Sequence, residues 1–228
     1  MASPLKEVEG AAVAGEEVPD RKGAGESLLQ EVEEGAALAV LSSGRPLIVS
    51  TDTVFGIGVS VGHAPTPDDL FRIKGRDRSK AIAWLMADEA DLLRYGRDIP
   101  GYARTLAKAF WPGGLTLIVK ASDQVPAAYC ADDGTIALRV PNAARLRQLM
   151  RILGSALATS SANVSGMPPA ISADQVDPAL TAFAPSLFNS SEQPSGRAST
   201  IVKCTGGAPE IIRVGDIAQS DISSVLSG

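Results

Sequence analysis

The chain predicts an α/β fold. Short apolar strand candidates alternate with stretches of helical spacing, an order typical of a sheet with helices packed on it. The composition is 45% hydrophobic, enough to build a core and to exclude a wholly disordered chain. With 228 residues, there is room for one ordinary domain and a tail.

Taken in order, residues 1–26 are rich in Gly, Ala, Glu and Pro and predict a disordered acidic tail, leaving 27–228 as the folded domain. The tail has neither the basic and apolar blocks of a signal peptide nor the basic character of a mitochondrial presequence. Ser27 and Gln30 have capping-box spacing, and Leu28, Leu29, Val32, Ala36, Ala37, Val40 and Leu41 recur with helical period. Gly44 and Pro46 end that helix. Strands are expected over Leu47–Ser50, Val54–Val61, Ala81–Met86, Leu115–Lys120, Thr135–Val140, Ser155–Ser160, Ser199–Lys203 and Ile211–Val214. Helices are expected over Pro67–Lys74, Glu89–Arg94, Tyr102–Phe110, Ala143–Leu153, Ala173–Phe183 and Ser220–Leu226. Ala184–Arg197, rich in Ser, Pro and Asn, reads as a loop within the domain.

Several function classes drop out. The net charge is −5, of which the tail (six acids, three bases) carries −3, so a bulk electrostatic nucleic-acid binder is disfavoured. No apolar run approaches the ~18 residues of a membrane span. The two cysteines, Cys130 and Cys204, form neither a disulfide framework nor a C-x-x-C pair, and read as buried small hydrophobes in a cytoplasmic protein. There is no G-x-x-x-x-G-K-[ST] loop, and the glycines from Gly56 to Gly62 miss the dinucleotide spacing. The single histidine, His63, sits in a Gly/Pro-rich loop, which disfavours a Ser-His-Asp triad and excludes a zinc site built on histidines.

The remaining motifs share a theme. The apolar run Leu47–Val49 ends in Ser50, Thr51, Asp52 and Thr53; taken alone, this is a polar turn as readily as a ligand site. Arg72, Lys74, Arg76, Arg78 and Lys80 place five bases at alternate positions, suited to a polyphosphate or to a solvated edge. Ala158–Gly166 again runs from a strand into hydroxyls and an amide, Thr159, Ser160, Ser161 and Asn163. Arg139 and Arg213 lie within apolar strands, where an inward-pointing charge needs an anionic partner. Trp111 in Trp111-Pro112-Gly113-Gly114 is most simply a packing anchor. Together these point to an anion-binding crevice at strand ends.

The ordered set STDTVFG, KGR, WPGGLT, ALRVP, TSSAN, STIV and IIRVG, spread over about residues 27–226, resembles the YrdC-like L-threonylcarbamoyladenylate synthases in their short, single-domain form. The resemblance implies a twisted mixed parallel and antiparallel sheet with flanking helices and a large concave site. It implies that L-threonine, bicarbonate and ATP yield threonylcarbamoyl-AMP, pyrophosphate and water. The product would go to a partner transferase that modifies the adenosine beside the anticodon of certain tRNAs. Position by position, Thr53, Arg139 and Ser199 would contact threonine or the carbamoyl carboxylate. Lys74, Arg76, Lys80, Thr116, Ser161, Asn163 and Arg213 would hold ATP, with Lys74 and Arg76 catalytic. Mg2+ would enter on the ATP phosphates, not through a protein ligand set. Ser50, Asp52, Leu85 and Val214 depart from residues usual in the family.

Such chemistry needs no protein nucleophile; the threonine amine captures bicarbonate or CO2, and the N-carboxylate attacks the α-phosphorus. Aligned reactants and positive charge beside the phosphates are what it requires. The chief alternative is a non-catalytic module of the same fold that binds double-stranded RNA or tRNA, and weak RNA binding stays open as a further partner. An inactive YciO-type paralogue is disfavoured by the Lys74/Arg76 and Ser161/Asn163 pairs. A hydrogenase-maturation carbamoyltransferase would need additional fused regions.

Overall fold

The computed structural model describes residues 29–74, 82–163 and 167–227; the expected tail and the start of the first helix at Ser27 lie outside them. In chain order the elements are β1 (Gln30–Glu31), α1 (Glu34–Ser42), β2 (Leu47–Val49), β3 (Gly56–Ser60), α2 (Asp68–Lys74), β4 (Ala83–Leu85), α3 (Asp91–Tyr95), β5 (Gly96–Arg97) and α4 (Gly101–Phe110). They continue with β6 (Leu115–Ala121), β7 (Thr135–Arg139), α5 (Ala144–Leu153), β8 (Leu157–Ser161), α6 (Pro178–Phe183), β9 (Ser186–Phe188), β10 (Thr200–Lys203), β11 (Glu210–Arg213) and α7 (Gln219–Ser227). The strands form one sheet in the order β1-β9-β2-β3-β8-β4-β7-β6-β10-β11, with β5 paired to β6. Parallel pairs (β1/β9, β9/β2, β4/β7, β6/β10) mix with antiparallel ones, as the resemblance implied.

All eight expected strands form, and the differences are local. The first helix starts at Glu34, not near Ser27. Gln30 and Val32 instead donate to the carbonyls of Pro185 and Leu187, at 2.7 and 2.8 Å, and make an edge strand. Their partner β9 lies in the segment expected to be loop; three residues between Pro185 and Asn189 are too few to show a period, yet Leu187 and Phe188 are buried. The expected helix Ala173–Phe183 divides at Pro178, which occupies the first helical turn after the Asp177 N-cap, whose side chain accepts from the Ala179 amide. Cys204 is buried as expected, its thiol pushed up to about 12 by desolvation, whereas Cys130 is only partly covered.

Side chains of registered neighbours share a face. One face carries Ile48, Ile57, Val59, Ala158, Trp84, Leu138, Ile136, Leu117, Val119 and Val202, all in the main core cluster. The opposite face is apolar only at one end. There Leu47, Val49, Leu85, Leu157 and Phe188 meet Ala37 and Leu41 of α1 and Leu146, Leu149 and Met150 of α5. Elsewhere that face carries Gly56, Gly58, Thr159, Ser161, Ala83, Ala137 and Arg139, which are small or polar. A Cβ at Gly58 would stand 2.6 Å from Thr159 Cγ2, so the cross-strand neighbour fits only against glycine. A face built from such residues gains little from an apolar cover.

Leu149, on α5, is fully buried in the smaller cluster. Leu149→Ala is expected to lower unfolding free energy by about 3 kcal/mol, read as a shifted urea midpoint. An unshifted midpoint would mean that α5 is not packed on the sheet.

Candidate active site

The buried strand β2 delivers the chain into a hydroxyl-rich turn. Thr51 Oγ1 donates to the Val54 carbonyl at 2.7 Å and accepts from the amides of Thr53 and Val54, at 3.2 and 3.3 Å. Ser50 Oγ accepts from the Ser190 amide at 2.7 Å. The Ser195 and Gly196 amides donate to the carbonyls of Asp52 and Thr53, both at 2.9 Å, so the stretch after β9 straps this turn in place. The turn is therefore polar scaffolding, as its sequence alone allows, and it also aims Asp52 and Thr53.

Both side chains meet Arg139. Its Nη1 donates to Thr53 Oγ1 at 2.7 Å, Nη2 to Asp52 Oδ1 at 2.5 Å and Nε to the Gly113 carbonyl at 2.9 Å. Arg139 is level with Leu85 and hence Leu157, which pairs with Ser60, the end of β3 remote from Thr53. The 50–55 turn must fold across the sheet for this bond to form. Arg139 is 5% exposed. Desolvation lowers its pKa, and the charges of Asp52 and Asp216 oppose that shift, so the guanidinium stays charged.

A second set of contacts continues from the Gly113 turn. Trp111 is buried and its Nε1 donates to the Leu115 carbonyl at 2.7 Å, the packing role expected of it. Thr116 Oγ1 lies 2.8 Å from Ser199 Oγ. Arg213 donates through Nη2 and Nε to the Ser199 carbonyl, at 2.7 and 3.2 Å. Thr116, assigned by resemblance to ATP, is thus bonded to a residue assigned to threonine. Ser161 and Asn163 stand at the other end of β8, where the Ala162 amide donates to the Phe55 carbonyl at 2.8 Å. The Asn163 side-chain amide donates to the Met167 carbonyl. The 50–55 turn therefore touches Arg139 through Thr53 and the β8 end through Phe55.

The basic run is only partly placed. Lys74 closes α2, but its side chain lies outside the described residues, as do Arg76 and Lys80. Arg72 does not join a converging set: it pairs with Asp69 at 2.8 Å and lies over the Phe183 ring. His63 is exposed, with Nδ1 2.8 Å from Ser60 Oγ, as befits a turn residue.

A cavity of about 480 Å³ opens beside Arg139, lined in part by Asp52, Gly113, Gly114, Glu192 and Asp216. Three carboxylates make it a poor seat for a polyanion. Asp216 is the residue that sequence reasoning missed. Asp52 was read within the polar turn after β2 and as a departure from the family pattern, whereas Asp216 carried no signal beyond its place after Arg213-Val214-Gly215. Among the described residues, no group of three or more His, Cys, Asp or Glu is placed to hold a metal ion.

Arg139→Met removes one partner of a buried pair and strands the Asp52 carboxylate, whose side chain is 13% exposed. It is expected to lower unfolding free energy by roughly 3 kcal/mol or more by chemical denaturation. A loss below about 1 kcal/mol, typical of a surface pair, would contradict the burial described.

The Sua5/YciO/YrdC family model, described as "Telomere recombination", matches residues 39–215. Bacillus subtilis threonylcarbamoyl-AMP synthase is 29% identical over 191 residues, covering 83% of this chain and 55% of its own length. A Mycobacterium tuberculosis protein that carries the same name in provisional form is 33% identical over 193 residues, covering 84% of this chain and 88% of its own. The crystal structure of Pyrococcus abyssi Sua5 complexed with L-threonine superimposes with a TM-score of 0.79 at 28% identity, over 86% of this chain and 59% of that one. The fold, the ordered motifs and these matches agree: the chain belongs to the Sua5/YciO/YrdC family.

Proposed function

We propose that this chain makes threonylcarbamoyl-AMP from L-threonine, bicarbonate and ATP, releasing pyrophosphate and water. It is an enzyme of the nucleotidyltransferase kind, as relatives named for an adenylate product indicate. The observation that carries the reading is the meeting of Thr53 with Arg139, and of Thr116 with Ser199 and Arg213, from stretches far apart in sequence. The L-threonine complex of Pyrococcus abyssi Sua5 supports an amino-acid subsite in this fold.

In this reading Thr53, Arg139 and Ser199 form the threonine subsite, with Thr116 supporting Ser199. Lys74, Arg76, Lys80, Ser161, Asn163 and Arg213 would hold ATP. The threonine amine takes up bicarbonate or CO2, and the resulting N-carboxylate oxygen bonds to the α-phosphorus as the bond to pyrophosphate breaks. Holding the reactants in line lowers the entropic part of the barrier, and fixed cations offset the charge that builds on the phosphates. Mg2+ arriving on the ATP phosphates would add further charge neutralisation. The product would serve a transferase that modifies tRNA beside the anticodon. Among the described residues no helix is long and apolar enough to cross a membrane.

Pyrophosphate release from ATP, measured with threonine and bicarbonate each omitted in turn, tests the assignment. Release should need both, and release indifferent to either omission rejects it. Lys74→Ala or Arg76→Ala should cut turnover at least ~100-fold with the fold intact, since loss of one such contact typically costs about 2–4 kcal/mol of transition-state stabilisation. Near-normal rates in both would put the phosphates elsewhere. Steep salt-dependent binding of double-stranded RNA without ATP turnover would favour the non-catalytic alternative.

A further inference from the structure

We infer that Asp216 is a positioning residue: acting through Arg139, it holds the Thr53 side and the Ser199 side of the proposed threonine subsite together. The inference rests on the functional reading above and assigns a role to a residue that lies outside the motifs.

The backbone around Asp216 is clamped on two sides. The Asp216 amide donates to the Ala198 carbonyl at 2.9 Å. Thr200 Oγ1 accepts from the amides of Gly215 and Ile217, at 2.8 and 3.0 Å, and donates to the Ile217 carbonyl at 2.6 Å. A Cβ at Gly215 would fall 2.0 Å from the Ala198 carbonyl oxygen, so only glycine lets the two backbones approach this closely. These contacts fix Asp216 to the strand start that carries Ser199.

The carboxylate then reaches the other side. A Cβ at Gly114 would lie 2.3 Å from Asp216 Oδ2, which places the carboxylate against the Gly114 α-carbon. Gly114 follows the residue whose carbonyl accepts Arg139 Nε, and its own carbonyl accepts the Thr200 amide at 2.9 Å. Among the described residues only Asp52 forms an ion pair with Arg139. Asp216 lines one cavity with Asp52 and Gly113, which both bond Arg139, so its charge acts on the guanidinium from a greater distance, and that of Arg213 opposes it. Asp52 belongs to the turn that carries Thr53, and Asp216 to the segment tied to Ser199. One buried guanidinium, paired with Asp52 and attracted over a longer distance by the partly buried Asp216, links the two segments. The opposed hydroxyls of Thr53 and Ser199 are held to one separation in consequence.

Asp216→Asn keeps the shape against Gly114 and removes the charge. Its KM for threonine should rise ~10-fold, with kcat and the KM for ATP within about twofold and the melting temperature within a few degrees. In the substrate-free protein, solvent exchange of the Arg139 Nε–H, followed by NMR, should speed up ~10-fold because the guanidinium is less firmly held. Gly114→Ala, which displaces the carboxylate, should give the same threonine defect and add little to Asp216→Asn. Unchanged exchange overturns the inference, whatever the kinetics. So does an unchanged threonine KM, or a parallel rise in both KM values with a lower melting temperature, which marks a merely structural role. If the wild type releases no pyrophosphate in response to threonine, the functional reading fails by itself and the exchange measurement still decides the role of Asp216.

Discussion

A buried guanidinium has to be answered by its surroundings, and the arrangement around Arg139 is that answer. Desolvating a cation costs several kcal/mol, so the chain supplies a carboxylate, a hydroxyl and a carbonyl at bonding distance, from Asp52, Thr53 and Gly113. These come from the β2–β3 turn and from the turn between α4 and β6. Satisfying one side chain therefore fixes the relative positions of segments 86 and 26 residues away from it. Such a pair contributes little net stability over an apolar replacement of equal volume. What it supplies is a unique geometry for the Thr53 hydroxyl.

The sheet makes this possible through an asymmetry between its faces. Where both faces are apolar, as at Ile48 and Val49, helices cover both and the strand is inert. Towards β4 and β7 the second face changes to Ala83, Ala137, Thr159 and Arg139. Covering helices would gain little hydrophobic free energy from such residues. The small and polar character of this part of the face thus follows from side-chain choice at alternate strand positions, and the 50–55 turn reaches across it to Arg139.

Much of this was legible in the chain. Eight strands of three or more residues announced themselves because each is bounded by Gly, Pro or polar turns. β1, β5 and β9 did not, because two or three residues carry no period and their pairing is decided by partners distant in sequence. Gln30 followed the helical pattern of its neighbours, but its amide found a strand edge at Pro185 first. In the candidate site, Thr53 stood out in a polar turn after a strand, and Arg139 and Arg213 as charges within apolar strands; Thr116 and the role given to Ser199 came from the family resemblance. Asp216 was not legible: its place against Gly114 exists only through the glycines at 114 and 215.

Charge accounting carries the last step. Arg139 is balanced by Asp52 and Arg72 by Asp69. The cavity beside Arg139 is acidic as well. An ATP triphosphate needs uncompensated positive charge, and neither Arg139 nor Arg72 has any to offer. Arg213 bonds the Ser199 carbonyl, a neutral acceptor, and so keeps its full charge. The other concentration of bases in the sequence is Lys74, Arg76, Arg78 and Lys80, interrupted by only one acid, Asp77. On the proposed reaction the phosphates would therefore lie nearer to Arg213 than to the acidic cavity, with threonine on the Arg139 side. On that proposal the sign of the local field separates the two substrates.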